Sequence, residues 1–360
     1  MKRHWFFCGF SAVFALAQVS ESSAQVNYQT ASSAVPIVAP VAGPKTTSDG
    51  GCDSGCSTGV SACCDGVGAG SGGGLLGGGL IGGGLLGGGG FLSGGLLGFI
   101  KPSDHCYDDF ISPMTNPTHF EDPRTLTEAR FIYLRHKVPL TAAGGVVNLF
   151  ALQLRAAVTE RLSIIATKDG FIASSNPLID DGWADLAAGL KYNLLSDPAG
   201  QGLLSIGSTF ELHNGSARSL QGNGDGVFNF FLSGAQKLTD RSHYMGSFGY
   251  RAPLDTNLET SMLYWSHHVD RKITSRLYLL AEANWYHWLD SGIGLNGLEG
   301  GDLFNIGGNN VTGNDIVTTA IGAKFKPSGH QEIGVAWEFP VTERRDVLDN
   351  RLTFDWIIRY

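Results

Sequence analysis

The chain has 360 residues, of which 42% are hydrophobic and only 16% charged, with 51 glycines and a formal net charge of −8. The charged fraction lies well below the ~25% of an ordinary soluble domain, and the acidic balance argues against a nucleic-acid partner. No apolar run of about 20 residues follows the N-terminal stretch, which excludes a helical membrane protein.

The chain opens with Lys2, Arg3 and His4, then an apolar stretch from Trp5 to Val19, then Ser22-Ser23-Ala24. A basic start, a short apolar core and a small-residue exit are the three parts of a secretory leader. Residues 1–24 are therefore expected to be a signal peptide, with export of a chain that starts near Gln25. The competing reading is an N-terminal membrane anchor, which the shortness of the apolar part and Gln18 disfavour.

Residues 25–65 form a low-complexity segment rich in Ser, Ala, Val, Pro and Thr. It carries Cys52, Cys56, Cys63 and Cys64, spaced C-x3-C-x6-C-C. Export permits disulfides among them or between chains. A zinc site is the weaker reading, because no His lies in the cluster and the spacing matches no familiar zinc module.

Residues 66–100 hold no charge and read as glycine blocks broken by apolar pairs, among them Leu75-Leu76, Leu80-Ile81 and Leu85-Leu86. Glycine costs about 1 kcal/mol per helical position relative to Ala, so a membrane helix is not expected. A flexible Gly/Leu-rich linker is the plain reading, and a segment lying on the membrane or entering a pore is the sharper one. A phosphate-binding loop is excluded, since no strand precedes the block and no Lys-Ser or Lys-Thr ends it. Residues 101–124 follow as a pre-barrel segment.

From residue 125 to 360 the pattern changes to alternation. Leu352, Phe354, Trp356, Ile358 and Tyr360 are apolar at period two, with Arg351, Thr353, Asp355 and Arg359 among the residues between them. Period two places alternate residues on opposite faces of a strand. The same alternation recurs in 182–194, 202–212, 275–287, 315–326 and 331–341. It returns more weakly in 128–138, 146–157, 161–172, 226–236, 242–251 and 260–269. The count is about twelve strands, each near the ~10 residues that a tilted membrane strand needs.

Connection lengths alternate as well. Those at 158–161, 196–200, 238–241, 270–272 and 327–330 are short, whereas 173–182, 214–226 and 289–314 are long. A barrel with both termini on the periplasmic side has this parity. Tyr192, Tyr244, Phe325 and Tyr360 are expected near the periplasmic ends, and Phe210, Tyr250, Trp285 and Phe339 nearer the outer rim. The expected fold is an all-β transmembrane antiparallel barrel of about 12 strands over 125–360, with a disordered Gly-rich N-terminal extension.

The run Asp181-Gly182-Trp183-Ala184-Asp185-Leu186-Ala187-Ala188-Gly189-Leu190-Lys191-Tyr192-Asn193-Leu194-Leu195 resembles a strand motif, G-x-x-D-L-x-x-G-x-K-Y-x-L. That motif belongs to outer-membrane barrels of the meta-pathway phenol-degradation family. Thr159-Glu160-Arg161-Leu162-Ser163-Ile164 is similar to the turn before that family's third strand. The resemblance covers roughly 125–360 and implies an outer-membrane channel for small, often aromatic or hydrophobic, solutes. The Gly-rich block and the cysteine cluster depart from the family. A final strand ending in an aromatic residue also resembles the signal read by barrel-assembly machinery, carried here by Phe354, Trp356, Ile358 and Tyr360.

The chemistry of a pore lies on its inward side chains. The inward candidates are Arg155, Asp185, Lys191, Glu211, Glu282, Lys324, Glu332, Glu338, Arg351, Asp355 and Arg359, with Gln153, Asn284 and Lys326 beside them. Their mixed signs exclude a simple anion or cation filter. Interior acid–base pairs also brace barrel walls, and Asp185 with Lys191 is a candidate pair across neighbouring strands. Twelve strands leave a narrow lumen, unless residues 101–127 fold inside it. A phospholipase-like site would need a serine and a histidine together, and Ser266 with His267 and His268 is the nearest set. Adjacent residues point to opposite faces, and no orienting acid is evident. No enzyme, metal or cofactor is expected.

The expected function is passive passage of small, apolar or aromatic solutes, with outer-membrane lipid, assembly machinery and the solute as partners. The alternatives are an outer-membrane anchor, whose Cys/Gly-rich region binds periplasmic partners, and a soluble exported β-sandwich.

Overall fold

The computed structural model describes residues 98–360. The leader, the four clustered cysteines and most of the Gly/Leu-rich block lie outside the described residues.

The alternating region forms fourteen hydrogen-bonded segments. They are β1 (Glu128–Lys137), β2 (Val146–Ala157), β3 (Leu162–Lys168), β4 (Phe171–Ser174), β5 (Gly182–Trp183), β6 (Leu186–Asp197) and β7 (Gly202–Leu212). They continue as β8 (Val227–Thr239), β9 (Ser242–Pro253), β10 (Met262–Lys272), β11 (Leu277–Trp288), β12 (Asp315–Ser328), β13 (Gln331–Pro340) and β14 (Asn350–Arg359). β3 and β4 are the halves of one strand broken at Asp169-Gly170, and β5 and β6 the halves of one broken at Ala184-Asp185. The barrel therefore has 12 strands.

Every neighbouring pair is antiparallel, and β1 pairs with both β2 and β14, which closes the sheet. Closure removes the free edges whose unpaired backbone groups lipid could not satisfy. Tyr360 extends the seam: its N–H donates to the Thr127 carbonyl at 2.9 Å, and its own carbonyl accepts from Ser103 N at 2.7 Å.

Side chains alternate strictly along β14. Leu352, Phe354, Trp356 and Ile358 are exposed, while Arg351, Thr353, Asp355 and Arg359 are buried. The same inversion holds on β6, where Leu190, Tyr192 and Leu194 face outward and Lys191 and Asn193 inward. Apolar groups outside and polar groups inside is the arrangement that lipid selects. Short turns gather at one end and the long connections 138–145, 213–226, 254–261, 289–314 and 341–349 at the other. In barrels of this type the short turns face the periplasm.

The interior is filled. Phe110, Ile111, Met114, Thr115, Asn116, Phe120, Asp122 and Arg124 are at most 2% exposed. The chain runs in beside the short-turn end, where Lys101 N donates to the Ala157 carbonyl at 2.8 Å. It threads the lumen from Ser103 to Thr127 before starting β1. At the other end Leu303, Phe304 and Ile306 of the 289–314 connection pack with Ile132, Leu134 and Leu149 in one buried apolar cluster.

Candidate functional site

The inward acids and bases are built by strand alternation, and the structure assigns each a partner. Arg155 donates to Glu121 at 2.9 and 2.6 Å and pairs with Glu128 at 3.0 Å. Lys191 reaches the same Glu121 at 2.7 Å. Glu128 accepts from Arg359 at 2.7 Å, and Arg359 donates in turn to Glu332 at 2.6 Å. Lys324 links Glu332 at 3.3 Å with Asp355 at 2.9 Å, and Asp355 meets Arg130 at 2.9 Å. This is one continuous chain of alternating charge, with each ion compensated, as burial requires.

The remaining candidates sit in smaller groups. Glu211 accepts from Lys168 at 2.7 Å. Arg351 forms a two-point bridge to Asp302 at 2.8 and 2.7 Å and lies 3.6 Å from Glu338. Glu338 also accepts from Thr318 at 2.6 Å and Asn284 at 3.1 Å. Glu282 accepts from the backbone N–H groups of Met114 and Thr115, each at 2.7 Å, and from the Thr115 hydroxyl at 2.5 Å. All eleven candidates are at most 8% exposed.

Asp185 and Lys191 do not brace each other. They lie six residues apart along one strand, about 20 Å at ~3.3 Å per residue. Asp185 instead accepts from the N–H groups of Gly215 and Gly222 in the following loop, at 2.8 and 2.9 Å. Its nearest cation is Lys168, at 4.0 Å.

The orienting acids of His268 are also present, contrary to the sequence expectation. Its Nδ1 is 2.6 Å from Glu282 and its Nε2 3.3 Å from Asp270, which itself meets His243 at 2.7 Å. Glu282 stands opposite His268 on the neighbouring strand, and Asp270 is two residues along on the same face of β10, since alternate residues share a face. Ser266 accepts from Asn116 at 2.9 Å, inside the barrel and away from lipid, and His267 faces outward, 2.8 Å from the Tyr244 hydroxyl.

The internal segment supplies groups that strand periodicity could not reveal: Glu121, Asp122 and Arg124. Arg124 and Asp122 pair at 2.7 Å, and Arg124 also donates to the Phe110 carbonyl at 3.0 Å. Gln153 and Ser205 reach across to the carbonyls of Pro117 and Pro123, at 2.7 and 2.6 Å, and Lys326 holds that of Asp108. A run that mixes phenylalanine, proline and paired charges outside any alternation is the available signal.

A second feature lies in the wall. The β2–β3 ladder stops at Leu154–Ala166, and the β2–β4 ladder resumes at Phe150–Phe171. Between them Asp169 Oδ1 accepts from Leu152 N at 2.8 Å, and Gly170 takes φ +120°. One strand further on, Ala184 N donates to the Gly170 carbonyl at 2.8 Å, where β5 and β6 part. The aligned breaks open a groove of about 710 Å³ lined by Phe131, Tyr133, Phe150, Trp183, Phe354 and Trp356, with Asp169, Asn214, Ile132, Ala151 and Ala184 also in its lining. Ile132, Ala151, Asp169 and Ala184 also line an internal cavity of about 20 Å³ that reaches Pro117, Gln153, Asp302 and Leu303.

A closed 12-strand sheet with an apolar aromatic exterior and an ionised interior defines a transmembrane β-barrel of the outer-membrane type. No family model and no curated protein matches the chain. Among solved structures it is similar to a COG4313 outer membrane channel from Pseudomonas putida F1, at TM-score 0.49 and 9% identity, covering 70% of this chain and 100% of that one. It is also similar to the NanC porin (TM-score 0.41, 9% identity, 65% of this chain, 98% of that one). The KdgM porin gives TM-score 0.39 and 10% identity over 64% of this chain and 99% of that one. Likeness at this level carries no argument about activity, and the class rests on the geometry of the chain itself.

Proposed function

We propose that the chain is an outer-membrane channel that passes small apolar or aromatic solutes through the break in its wall, not along the barrel axis. The observation that supports this is the shared lining of the outer groove and the inner cavity at Ile132, Ala151, Asp169 and Ala184. The axis is occupied by residues 103–127, whereas the groove presents aromatic rings to solutes dissolved in lipid. The meta-pathway family named above is similar in solute class.

The test is initial uptake of a labelled neutral arene by cells carrying the wild-type chain or Ala151→Trp, whose added ring would fill the shared wall. Wild-type protein should raise uptake several-fold, and the substituted barrel, recovered as a heat-modifiable outer-membrane band, should not. Equal uptake by both would overturn the reading.

The filled lumen favours a second reading, a closed anchor whose residues 25–100 hold periplasmic partners. In that case neither form raises uptake, and removing those residues releases the partners.

A further inference from the structure

Within the groove one group is chemically out of place. Its walls are aromatic, and Asp169 brings a carboxylate to its lining. One oxygen of that carboxylate accepts from Leu152 N at 2.8 Å, where a strand carbonyl would otherwise serve. Among the described residues no cation stands within ion-pair distance of Asp169, while the inward acids on the same wall, Glu128 and Glu211, have theirs. A carboxylate without a counter-charge in an apolar setting is costly, and either a proton or a cationic occupant relieves that cost.

We propose that the groove selects organic cations with an apolar body, such as arylalkylammonium or quaternary ammonium compounds, with Asp169 as the counter-charge. The proposal rests on the groove being the solute's path and names the class of solute that the path prefers. The ring set fits this chemistry. Phe131 lies 5.7 Å from Trp356 and Tyr133 lies 5.1 Å from Phe150, centroid to centroid, so two tilted ring pairs face the groove. Aromatic faces attract ammonium groups through the ring quadrupole, most strongly where water is excluded. A carboxylate-bearing solute would meet Asp169 as a like charge and be rejected.

The test uses full-length protein in nanodiscs, followed by tryptophan fluorescence, since Trp183 and Trp356 line the groove. The probes are benzyltrimethylammonium, benzyl alcohol and phenylacetate, each corrected for partition into empty nanodiscs. Wild-type protein should bind the cation at least tenfold more tightly than either of the others. Asp169→Asn keeps an acceptor for Leu152 N, so the wall should persist. It should bring the cation to within twofold of benzyl alcohol, whose own binding stays unchanged. Benzyl alcohol binding without a cation preference overturns the counter-charge and leaves the wall passage standing. A preference that survives Asp169→Asn also overturns it. Failure of every probe to bind overturns both readings, and the wild-type measurement decides these cases even if the variant does not assemble.

Discussion

Replacing Glu121 with Ala removes the anion that joins the internal segment to the wall. Its carboxylate accepts from Arg155 at 2.9 and 2.6 Å and from Lys191 at 2.7 Å, in a site where all three side chains are about 2% exposed. After the change Arg155 keeps Glu128, at 3.0 Å, and Lys191 keeps the Asp122 carbonyl, at 2.5 Å. Neither contact neutralises Lys191, so one cation is left buried without an anion. Removing one partner of a buried pair costs about 3–5 kcal/mol. If that cost falls on docking of residues 103–127, their undocked fraction rises by roughly two to three and a half orders of magnitude. The assay is ion conductance across planar bilayers, read beside amide hydrogen exchange in 110–124. Wild-type protein should be nearly silent, because its axis is filled. Glu121→Ala should show frequent openings and faster exchange in that segment while keeping the heat-modifiable band. Unchanged conductance and unchanged exchange would refute the claim that ionised contacts hold the segment.

Three further changes have defined outcomes. Gly170→Ala places a Cβ 2.5 Å from the Phe150 carbonyl oxygen at a φ of +120°, so it should lower the yield of the heat-modifiable form or shut the groove, read by gel shift and arene uptake. Deleting Tyr360 removes its backbone bonds to Thr127 and Ser103 and should slow assembly several-fold in a pulse–chase; normal insertion would contradict the role given to the terminal strand. In the 341–349 connection, burial raises the Asp346 carboxyl to about 7, with Arg344 opposing and Glu299 adding to the shift. A raised carboxyl binds its proton more tightly in the packed loop than in the free one, so packing is firmest below about pH 4 and weakens as pH rises toward 7. Fluorescence of Trp288, which lies 5.8 Å from the Arg344 guanidinium, should follow that weakening, and Asp346→Asn should flatten it.

Much of the barrel was legible because lipid imposes a simple rule on alternate residues. The alternation in 202–212 coincides with β7, and that in 146–157 with β2. The rule holds only while the ladder is unbroken. Residues 161–172 read as one strand, yet the chain bends at Asp169-Gly170, and nothing in the period marks where a side-chain oxygen replaces a backbone carbonyl. The inward residues could be identified one at a time, but their partners could not. Lys191 meets Glu121, 70 positions away, and Arg359 meets Glu128, 231 positions away. Those distances along the chain are set by closure and by the threaded segment, and no local pattern fixes which residues the two bring together.

The seam at Thr127, Ser103 and Tyr360 has a consequence for the order of assembly. The first strand of the wall and the stretch that fills it are continuous in the chain, and the last strand meets both. A ring that closes between its first and last strands traps whatever already lies across it. With residues 103–127 bonded to β2, β6, β7, β11 and β13, the simplest route lays the cargo down while the wall is still an open sheet, and the arrival of the C-terminal tyrosine then shuts the vessel around its contents.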